Sequence, residues 1–332
     1  MTALAGLLDR LSLAECIVRE TPVVPLTDSS VHLFAKLEYL NGIGSIKDRP
    51  ALWILKKAIE RGEVEPGTTI VESSSGNFAC ALATLARILE LDFIPVIDVN
   101  TSPVYEATLR SQCSTVVKVD EPDDTGGYLK SRLRMVERLR AEIPKVYWPN
   151  QYGNADGMDA HYRLTAGDIV KALPNLDYVF LPVSSAGTIA GTSRRLKEHD
   201  PRIRIIAVDA QGSVIFKRPA GPRRIPGLGS SICPPLVEHA LIDDVVMVSE
   251  PETVAACHVL LQHHGLFVGG SSGSAYAAVQ RVFARRRGTE KPRVLFLCCD
   301  RGGAYVHNVF NRQWAAQCVE VQQPATEAAG AS

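Results

Sequence analysis

Short apolar runs alternate with longer amphipathic stretches along almost the whole chain. Eight of these runs are rich in β-branched residues and apolar on both faces; they cover residues 31–38, 68–73, 92–98, 115–120, 177–183, 204–210, 244–249 and 293–299. This pattern is typical of parallel strands that are buried on both sides of a sheet. Helical stretches such as ALWILKKAIERG and FACALATLARILEL separate the runs. We therefore predict an α/β protein with mostly parallel strands, flanking helices and right-handed crossovers.

The composition indicates a globular protein without a dominant charge. The 332 residues include 36 basic and 36 acidic side chains, and 46% of the residues are hydrophobic. A neutral chain has no global field that attracts nucleic acid or an anionic membrane, so any anion must be bound locally. The first residues do not have the pattern of a signal peptide, and no apolar run has the length of a membrane span. We expect a cytoplasmic protein of one large or two ordinary domains, with neither nucleic acid nor a membrane as its partner.

The cysteines and histidines do not predict a metal site. The eight cysteines form no CxxC or CxxH pair, so a zinc site or a thioredoxin motif is not indicated. Most of them lie in apolar runs and are interpreted as reduced core thiols. His161, His263 and His264 lie near the motifs described below but lack the spacing of metal ligands. We interpret these histidines as structural.

Four stretches rich in glycine and serine lie at predicted strand ends or helix starts. They are NGIGSIKDRP (41–50), ESSSGNFA (72–79), VSSAGTIAG (183–191) and VGGSSGSAY (268–276). Backbone N–H groups at a helix start can bind a phosphate without excess positive charge. Any one of these loops is better explained by ordinary N-caps and tight turns. Four together favour an anion site, although the chain has neither GxxxxGK[ST] nor a clean GxGxxG motif.

Lys47 occupies an unfavourable position in the first of these loops. The positive end of a helix and burial both disfavour an ammonium group, so both lower the pKa of a lysine. A neutral lysine amine is a nucleophile toward carbonyl groups. Beside phosphate-binding loops, it suggests an aldehyde cofactor that carries a phosphate, and pyridoxal 5′-phosphate fits this description. The alternative is a surface lysine paired with Asp48.

The same loops resemble the motifs of a known family. GSIKDRP is similar to the cofactor-lysine motif of the fold type II pyridoxal-phosphate enzymes of the cysteine synthase and cystathionine β-synthase family. SSSGNFA resembles their asparagine loop, GGSSGS their loop beneath the pyridine nitrogen, and TPVVPL their N-terminal signature. The resemblance extends from about residue 20 to residue 310, with the motifs in the family's order. It implies an enzyme with pyridoxal 5′-phosphate as cofactor, assembled as a homodimer.

The resemblance also implies a domain organisation. We expect two open, twisted, mostly parallel sheets flanked by helices. Residues 1–44 and 154–320 would form the larger, cofactor-binding domain, and residues 45–153 a smaller mobile domain. The polar stretch GNADGMDAHYRL, which follows residue 152, marks the passage between the two. Residues 321–332 have few apolar side chains, and we expect a disordered tail.

Roles are transferred from the family by matching position. Lys47 would bind the cofactor aldehyde and move the proton at the substrate Cα, and Asn77 would hydrogen-bond the cofactor's phenolic oxygen. The loop of Ser184, Ser185, Ala186, Gly187 and Thr188 would hold the cofactor phosphate. Ser271 would meet the pyridine nitrogen. The remaining assignments concern the substrate, with Ser74, Ser75 and Gly76 at its carboxylate and Arg132, Tyr152 and Ser184 selecting it.

Further stretches, including WPNQYGN and VDAQGSVIF, resemble the branch of the family that supplies L-2,3-diaminopropionate for siderophores and peptide natural products. That resemblance implies a β-replacement in which L-glutamate displaces phosphate from O-phospho-L-serine. One alternative is a cysteine synthase that uses sulfide with an activated serine. Another is a non-catalytic protein that binds an amino acid. The chain departs from the family at Phe78 and Ala79, where threonine and glycine usually follow the loop asparagine.

Overall fold

The computed structural model describes residues 3–124, 126–284 and 290–320. Its helices are α1 (Ala3–Ile17), α2 (Asp48–Glu60), α3 (Asn77–Leu89), α4 (Pro103–Gln112), α5 (Leu129–Glu142), α6 (Ala155–Ala160), α7 (Ala166–Ala172), α8 (Gly187–His199), α9 (Glu250–His264), α10 (Gly270–Phe283) and α11 (Arg312–Glu320). A π-helical turn, His161–Thr165, joins α6 to α7, and short 3₁₀ turns cover Glu38–Leu40, Pro235–His239 and Gly302–Tyr305. The predicted tail, residues 321–332, lies outside the described residues.

The strands are β1 (Val23–Leu26), β2 (His32–Leu37), β3 (Thr69–Ser73), β4 (Asp92–Asp98), β5 (Val117–Val119), β6 (Val146–Tyr147), β7 (Tyr178–Pro182), β8 (Arg204–Ala210), β9 (Asp244–Val248) and β10 (Arg293–Cys298). They form one sheet in the order β1-β2-β10-β7-β8-β9 and another in the order β5-β4-β3-β6. All neighbouring strands are parallel except β1 and β2. The predicted α/β class with two mostly parallel sheets is confirmed.

All eight predicted strands are present, but β1 and β6 were not predicted. Strand β1 contains Pro25, which cannot donate a ladder hydrogen bond and is tolerated because β1 is an edge strand. Strand β6 has two residues, too few to give an alternating pattern. The run at 115–120 is paired only over Val117–Val119.

Alternating side chains of the large sheet fill two separate apolar layers. Phe180 and Phe296 pack on the side of α10, whereas Leu181 and Leu297 pack on the side of α8. Because helices cover both faces, these strands are apolar at successive positions. The small sheet shares its core with α2 and α3, and Leu7, Leu11 and Ala14 of α1 join the same cluster. The domain boundaries drawn from the sequence stay predictions.

All eight cysteines are free, but the prediction of core thiols holds only in part. Cys257, Cys298, Cys299 and Cys318 are buried, whereas Cys16 and Cys233 are exposed. Cys16 lies in the last turn of α1, and Cys233 lies in the irregular segment before Pro235. At such positions apolar neighbours in the sequence do not guarantee burial. None of the helices in the described ranges is long and apolar enough to cross a membrane.

Candidate active site

A cleft of about 460 Å³ lies between the carboxyl ends of the two sheets. All four loops rich in glycine and serine contribute to its wall. The residues predicted from the sequence that line it are Lys47, Ser74, Ser75, Gly76, Asn77, Arg132, Tyr152, Ser184, Ser185, Ala186, Thr188 and Ser271. Gly187 lines a small adjoining pocket together with Lys47, Ser185 and His161. The fold thus brings the predicted set together, while the individual roles stay predictions.

The loop before Lys47 is folded around the carboxylate of Asp48. Asp48 Oδ2 accepts hydrogen bonds from the backbone N–H groups of Ile43 and Gly44, both at 2.9 Å. Burial raises the pKa of Asp48 to about 6, although these hydrogen bonds oppose the shift. Lys47 precedes the first residue of α2 and is half-buried. Asp48 therefore shapes the loop and does not pair with Lys47 at the surface.

The Lys47 amine is placed for nucleophilic chemistry. It forms no hydrogen bond or ion pair with the chain over the described ranges. Burial lowers its pKa below the ordinary 10.5, and the nearby Cys299 and Asp300 oppose this shift in part. A lysine with a lowered pKa supplies a neutral amine closer to physiological pH.

The serine loop enters α3 at Asn77. Gly76 precedes the helix, and Ser74 Oγ accepts a hydrogen bond from the N–H of Ala79 at 3.2 Å. The residues of this helix start line the cleft, and the N–H groups of a helix start suit a carboxylate. Phe78 also lines the cleft, where the family usually has a smaller threonine. This departure from the family's motif therefore lies in the wall of the cleft.

The loop predicted to hold the cofactor phosphate, residues 184–188, follows β7 and leads into α8. Ala186 adopts a left-handed backbone conformation with φ of 65°, and α8 begins at the next residue. Thr188 Oγ1 lies 3.2 Å from His161 Nε2, and His161 Nδ1 lies 2.9 Å from Thr165 Oγ1. Burial holds the pKa of His161 well below its ordinary value, and the cations Lys47 and Arg49 add to the shift. A neutral imidazole therefore supports the loop, in agreement with its structural interpretation.

Ser271 lies in the first turn of α10 and is buried against the end of β10. The hydroxyl of the adjacent residue, Ser272 Oγ, accepts a hydrogen bond from the Cys299 N–H at 2.9 Å. A methyl group on Gly269 would lie 2.2 Å from Asp300 Oδ1, so only glycine permits this close approach. A serine hydroxyl lacks the charge that would keep a pyridine nitrogen protonated.

Arg132 reaches the serine loop from α5. Its Nη1 donates to Ser75 Oγ at 3.1 Å, and its Nε forms an ion pair with Asp98 Oδ2 at 3.2 Å. Tyr152 lies close by, and burial raises its pKa. The two residues expected to select the substrate therefore line the same part of the cleft as the predicted carboxylate loop.

Sequence reasoning missed several polar residues of the cleft. Tyr105 and Asp300 contact Asn77, and Arg223, His307 and Asn308 line the opposite wall. The sequence DRG at 300–302 directly follows a predicted strand, a position that could have indicated Asp300. The two arginines in GPRRIPG gave a charge signal that could have identified Arg223.

These residues fit pyridoxal 5′-phosphate. Asp300 Oδ1 is a buried acceptor without a hydrogen bond inside the described ranges, and the Lys47 amine faces the same cleft. The loop at 184–188 offers hydroxyls and the start of α8 for a phosphate. Among the residues that the structure describes, no group of histidine, cysteine, aspartate or glutamate could hold a metal ion.

Comparison with known proteins identifies the family. The model of the pyridoxal-phosphate dependent enzymes matches residues 16–300. The chain belongs to this family. It is 40% identical over 311 residues to the N-(2-amino-2-carboxyethyl)-L-glutamate synthase of Ralstonia nicotianae, which covers 92% of this chain and 91% of that enzyme. The resemblance inferred from the motifs is thus confirmed, and pyridoxal 5′-phosphate is the cofactor.

Solved structures of the family share the fold. The O-acetylserine dependent cystathionine β-synthase of Helicobacter pylori is 31% identical, with a TM-score of 0.82 over 89% of this chain and 97% of that chain. An O-ureido-L-serine synthase is 25% identical, with a TM-score of 0.84 over 90% of this chain and 95% of that chain. The chain is a pyridoxal-phosphate dependent β-substitution enzyme of fold type II.

Proposed function

We propose that the chain replaces the phosphate of O-phospho-L-serine with the amine of L-glutamate. The products are N-(2-amino-2-carboxyethyl)-L-glutamate, a precursor of L-2,3-diaminopropionate, and inorganic phosphate. The observation that carries this proposal is the 40% identity to the Ralstonia nicotianae enzyme across 92% of the chain. The charges that line the cleft support it, because the two substrates bring three carboxylates and a phosphate.

The first substrate is assigned to the wall formed by α3 and α5. Its α-carboxylate would accept hydrogen bonds at the loop Ser74–Gly76, and its phosphate would meet Arg132. Support comes from the contact of 3.1 Å between Arg132 and Ser75, which places the guanidinium beside that loop. Arginine suits a phosphate because its planar fork can donate two parallel hydrogen bonds. Tyr152 and Ser184 would complete the selection of the serine derivative.

Lys47 is the proposed acid and base at the substrate Cα. Bound pyridoxal 5′-phosphate would supply an electron sink for the loss of the leaving group. Its phosphate would be held by the loop Ser184–Thr188, and Asn77 and Ser271 would meet its ring. Lys47 would take the Cα proton before phosphate leaves and return it after the amine has added. Its lowered pKa suits this work near neutral pH.

L-Glutamate is assigned to the opposite wall. Arg223 lines the cleft and forms no ion pair with a carboxylate in the described ranges; its guanidinium donates to Ser230 O at 2.7 Å and to Gly212 O at 3.2 Å. Neighbouring Arg224 is already paired with Glu250. Arg223 therefore retains a positive charge that a carboxylate of L-glutamate could neutralise.

A spectral titration tests the reaction. O-Phospho-L-serine is added to the holoenzyme alone, and the absorption of the bound cofactor is followed; L-glutamate or sulfide is then added. We expect phosphoserine to change the spectrum and glutamate to restore it, with one phosphate released for each product detected by mass spectrometry. Response only to O-acetyl-L-serine, with restoration only by sulfide, would make this a cysteine synthase. Absence of any response, together with no borohydride trapping on Lys47, would indicate a non-catalytic binding protein.

Three further expectations belong to the same proposal. The smaller domain, 45–153, would close over the substrates and exclude water, as lids over reactive sites do. The enzyme would be a homodimer, which light scattering after gel filtration tests directly. It would act in the cytoplasm, where its amino-acid substrates are available; cell fractionation tests this location.

A further inference from the structure

Asn77 lies in the middle of a chain of hydrogen bonds that the family motifs did not indicate. Tyr105 Oη donates to Asn77 Oδ1 at 2.8 Å, and Asn77 Nδ2 donates to Asp300 Oδ2 at 2.7 Å. Both neighbours line the cleft. We propose that Tyr105 and Asp300 are positioning residues that fix the Asn77 amide for the phenolic oxygen of the cofactor. This inference rests on the proposed role of Asn77, and does not depend on which substrates the enzyme uses.

The two contacts define one orientation of the amide. A tyrosine hydroxyl can donate or accept, so Tyr105 alone would tolerate either orientation of Asn77. An ionised carboxylate only accepts, so Asp300 requires the amide nitrogen on its side. The carbonyl oxygen must then face Tyr105. Rotation of the amide by 180° would place its oxygen against the Asp300 carboxylate, which is repulsive.

This orientation leaves a donor for the cofactor. The Asn77 nitrogen carries two N–H groups, and Asp300 takes one of them. The other is available to an acceptor in the cleft, which Asn77 lines. A phenolic oxygen is such an acceptor. Because the amide is already oriented, its side chain loses less rotational freedom when the cofactor binds.

Asp300 is itself firmly held. It is 3% exposed, and its Oδ2 accepts a second hydrogen bond from Tyr305 Oη at 2.7 Å. Gly269 packs so closely that no side chain could be placed between it and Oδ1. Burial raises the pKa of Asp300, while the hydrogen bonds from Asn77 and Tyr305 and the charge of Lys47 favour the carboxylate. A fixed carboxylate can orient a neighbouring amide.

The arrangement joins both halves of the cleft. Asn77 begins α3 and Tyr105 lies in α4, next to the small sheet, whereas Asp300 follows β10 of the large sheet. The Asn77 amide can therefore be fully oriented only when the two walls are in their present positions. Ser102 supplies a second contact across the cleft, from its Oγ to Ala304 O at 3.5 Å, without touching Asn77.

The variants Asp300→Asn and Tyr105→Phe test the proposal in the holoenzyme without substrate. An asparagine at position 300 can donate or accept, so it no longer selects the orientation of Asn77. We expect Asp300→Asn to shift the absorption maximum of the bound cofactor and to weaken cofactor retention on dialysis by about tenfold, as loss of a hydrogen bond to a charged group does. Tyr105→Phe should act in the same direction by about threefold, because the discriminating carboxylate remains.

Ser102→Ala is the matched control, since it removes a contact across the cleft but leaves Asn77 untouched. Its spectrum should equal that of the parent. The proposal is overturned if Asp300→Asn and Tyr105→Phe keep the parent spectrum and retention, or if Ser102→Ala shifts both as much as Asp300→Asn. Should Asp300→Asn fail to fold, the spectrum of Tyr105→Phe against Ser102→Ala decides. These spectra are recorded without substrate, so they would not change if O-phospho-L-serine or L-glutamate proved not to be a substrate. A wrong substrate assignment and a wrong role for Tyr105 and Asp300 are therefore distinguishable.

Discussion

The Arg49 guanidinium binds the Glu38 carboxylate through two hydrogen bonds inside the protein, with Nε–Oε2 at 2.7 Å and Nη2–Oε1 at 3.0 Å. Asp168 accepts from Arg49 Nη2 at 2.5 Å and from Lys36 Nζ at 2.9 Å. These two cations and two anions cancel, which makes their burial tolerable. The network joins Lys36 of β2, Arg49 of α2 and Asp168 of α7. Because Arg49 lies two residues after Lys47, the network anchors the start of the helix next to the proposed cofactor lysine.

Replacement of Arg49 by methionine should be strongly destabilising. The variant keeps much of the side-chain volume but leaves the buried Glu38 and the partly buried Asp168 with one cation instead of two. Breaking a buried ion pair in this way costs about 3–5 kcal/mol. Urea denaturation of both proteins measures the difference. Arg61→Met is the control because Arg61 pairs at the surface with Glu63 and Asp156, where a loss of about 1 kcal/mol or less is expected. Equal losses of unfolding free energy in Arg49→Met and Arg61→Met would show that the buried network contributes no more to stability than a surface ion pair.

The Arg49 network also shows what the sequence could not reveal. The motif GSIKDRP predicted a cofactor role for Lys47 because glycine, lysine and a helix start are adjacent in the sequence. Arg49 stands in the same motif, but its partner Asp168 lies 119 positions away and nothing in the local pattern links them. Strand periodicity gave the fold class for the same reason that it missed β6: periodicity needs several residues to be visible.

Part of the cleft wall could also be predicted from the sequence. Loops at strand ends converge because parallel strands place their carboxyl ends at one edge, so the positions of Asn77 and Ser271 followed from fold and motif. Tyr105 and Arg223 lie on a helix and in an irregular segment whose approach to the cleft depends on tertiary packing. Such contacts have no period or spacing in the sequence.

Lys47→Ala should eliminate covalent attachment of the cofactor and lower the turnover rate by about a thousandfold, since general acid–base groups contribute on that scale. Borohydride reduction followed by peptide mass spectrometry should find the cofactor on Lys47 of the parent only. The rate at which the apoenzyme binds the cofactor covalently should rise with pH, because only the neutral amine of Lys47 reacts. The midpoint of this rise should lie below pH 10.5, because burial lowers the pKa of Lys47. Lys57→Ala, an exposed change on the same helix, should behave as the parent. Trapping on another lysine would contradict the assignment.

Glu72 should make stability depend on pH in a defined direction. Burial raises its pKa from 4.5 to about 7, although Trp148 and the N–H groups of Ser73 and Gln151 donate to it. The folded state therefore holds the proton more tightly, and the destabilising effect of Glu72 grows as pH rises from about 4.5 to about 7. Relative to the parent, Glu72→Gln should gain about 3 kcal/mol in unfolding free energy between pH 4 and pH 8, estimated at 1.4 kcal/mol for each unit of pKa.

Chemical denaturation at several pH values measures this difference. Glu63→Gln is the control of opposite sign, because Arg61 lowers the pKa of the exposed Glu63. That carboxylate contributes stability above its unfolded pKa, and the contribution is lost as pH falls. The free energy of unfolding of Glu63→Gln should therefore fall relative to that of the parent as pH rises. A flat profile for Glu72→Gln would show that folding does not shift the pKa of Glu72, and an inverted profile would show that folding lowers it.

Arg132→Gln should weaken the first substrate selectively. The concentration of O-phospho-L-serine that half-saturates the spectral change should rise by about tenfold or more, because a charge-assisted contact is lost. The response to O-acetyl-L-serine should change less, since an acetyl group carries no charge for Arg132 to bind. Arg134→Gln is the matched control on α5; Arg134 donates to Ser131 Oγ at 2.8 Å and does not line the cleft. Equal effects on both serine derivatives would assign Arg132 to the α-carboxylate instead of the leaving group.

Arg223→Gln should weaken L-glutamate without affecting the first substrate. The spectral response to O-phospho-L-serine should be that of the parent, while the KM for L-glutamate rises by about tenfold and kcat changes little.

L-Glutamine, which lacks the second carboxylate, distinguishes the two carboxylates of the acceptor. If Arg223 binds the side-chain carboxylate, the variant should lose affinity for glutamate but not for glutamine. Arg202→Gln, a change at an exposed ion pair, should leave all three parameters unchanged. A loss in the phosphoserine step would show that Arg223 maintains the cleft through its contacts with Gly212 and Ser230 and does not select the acceptor.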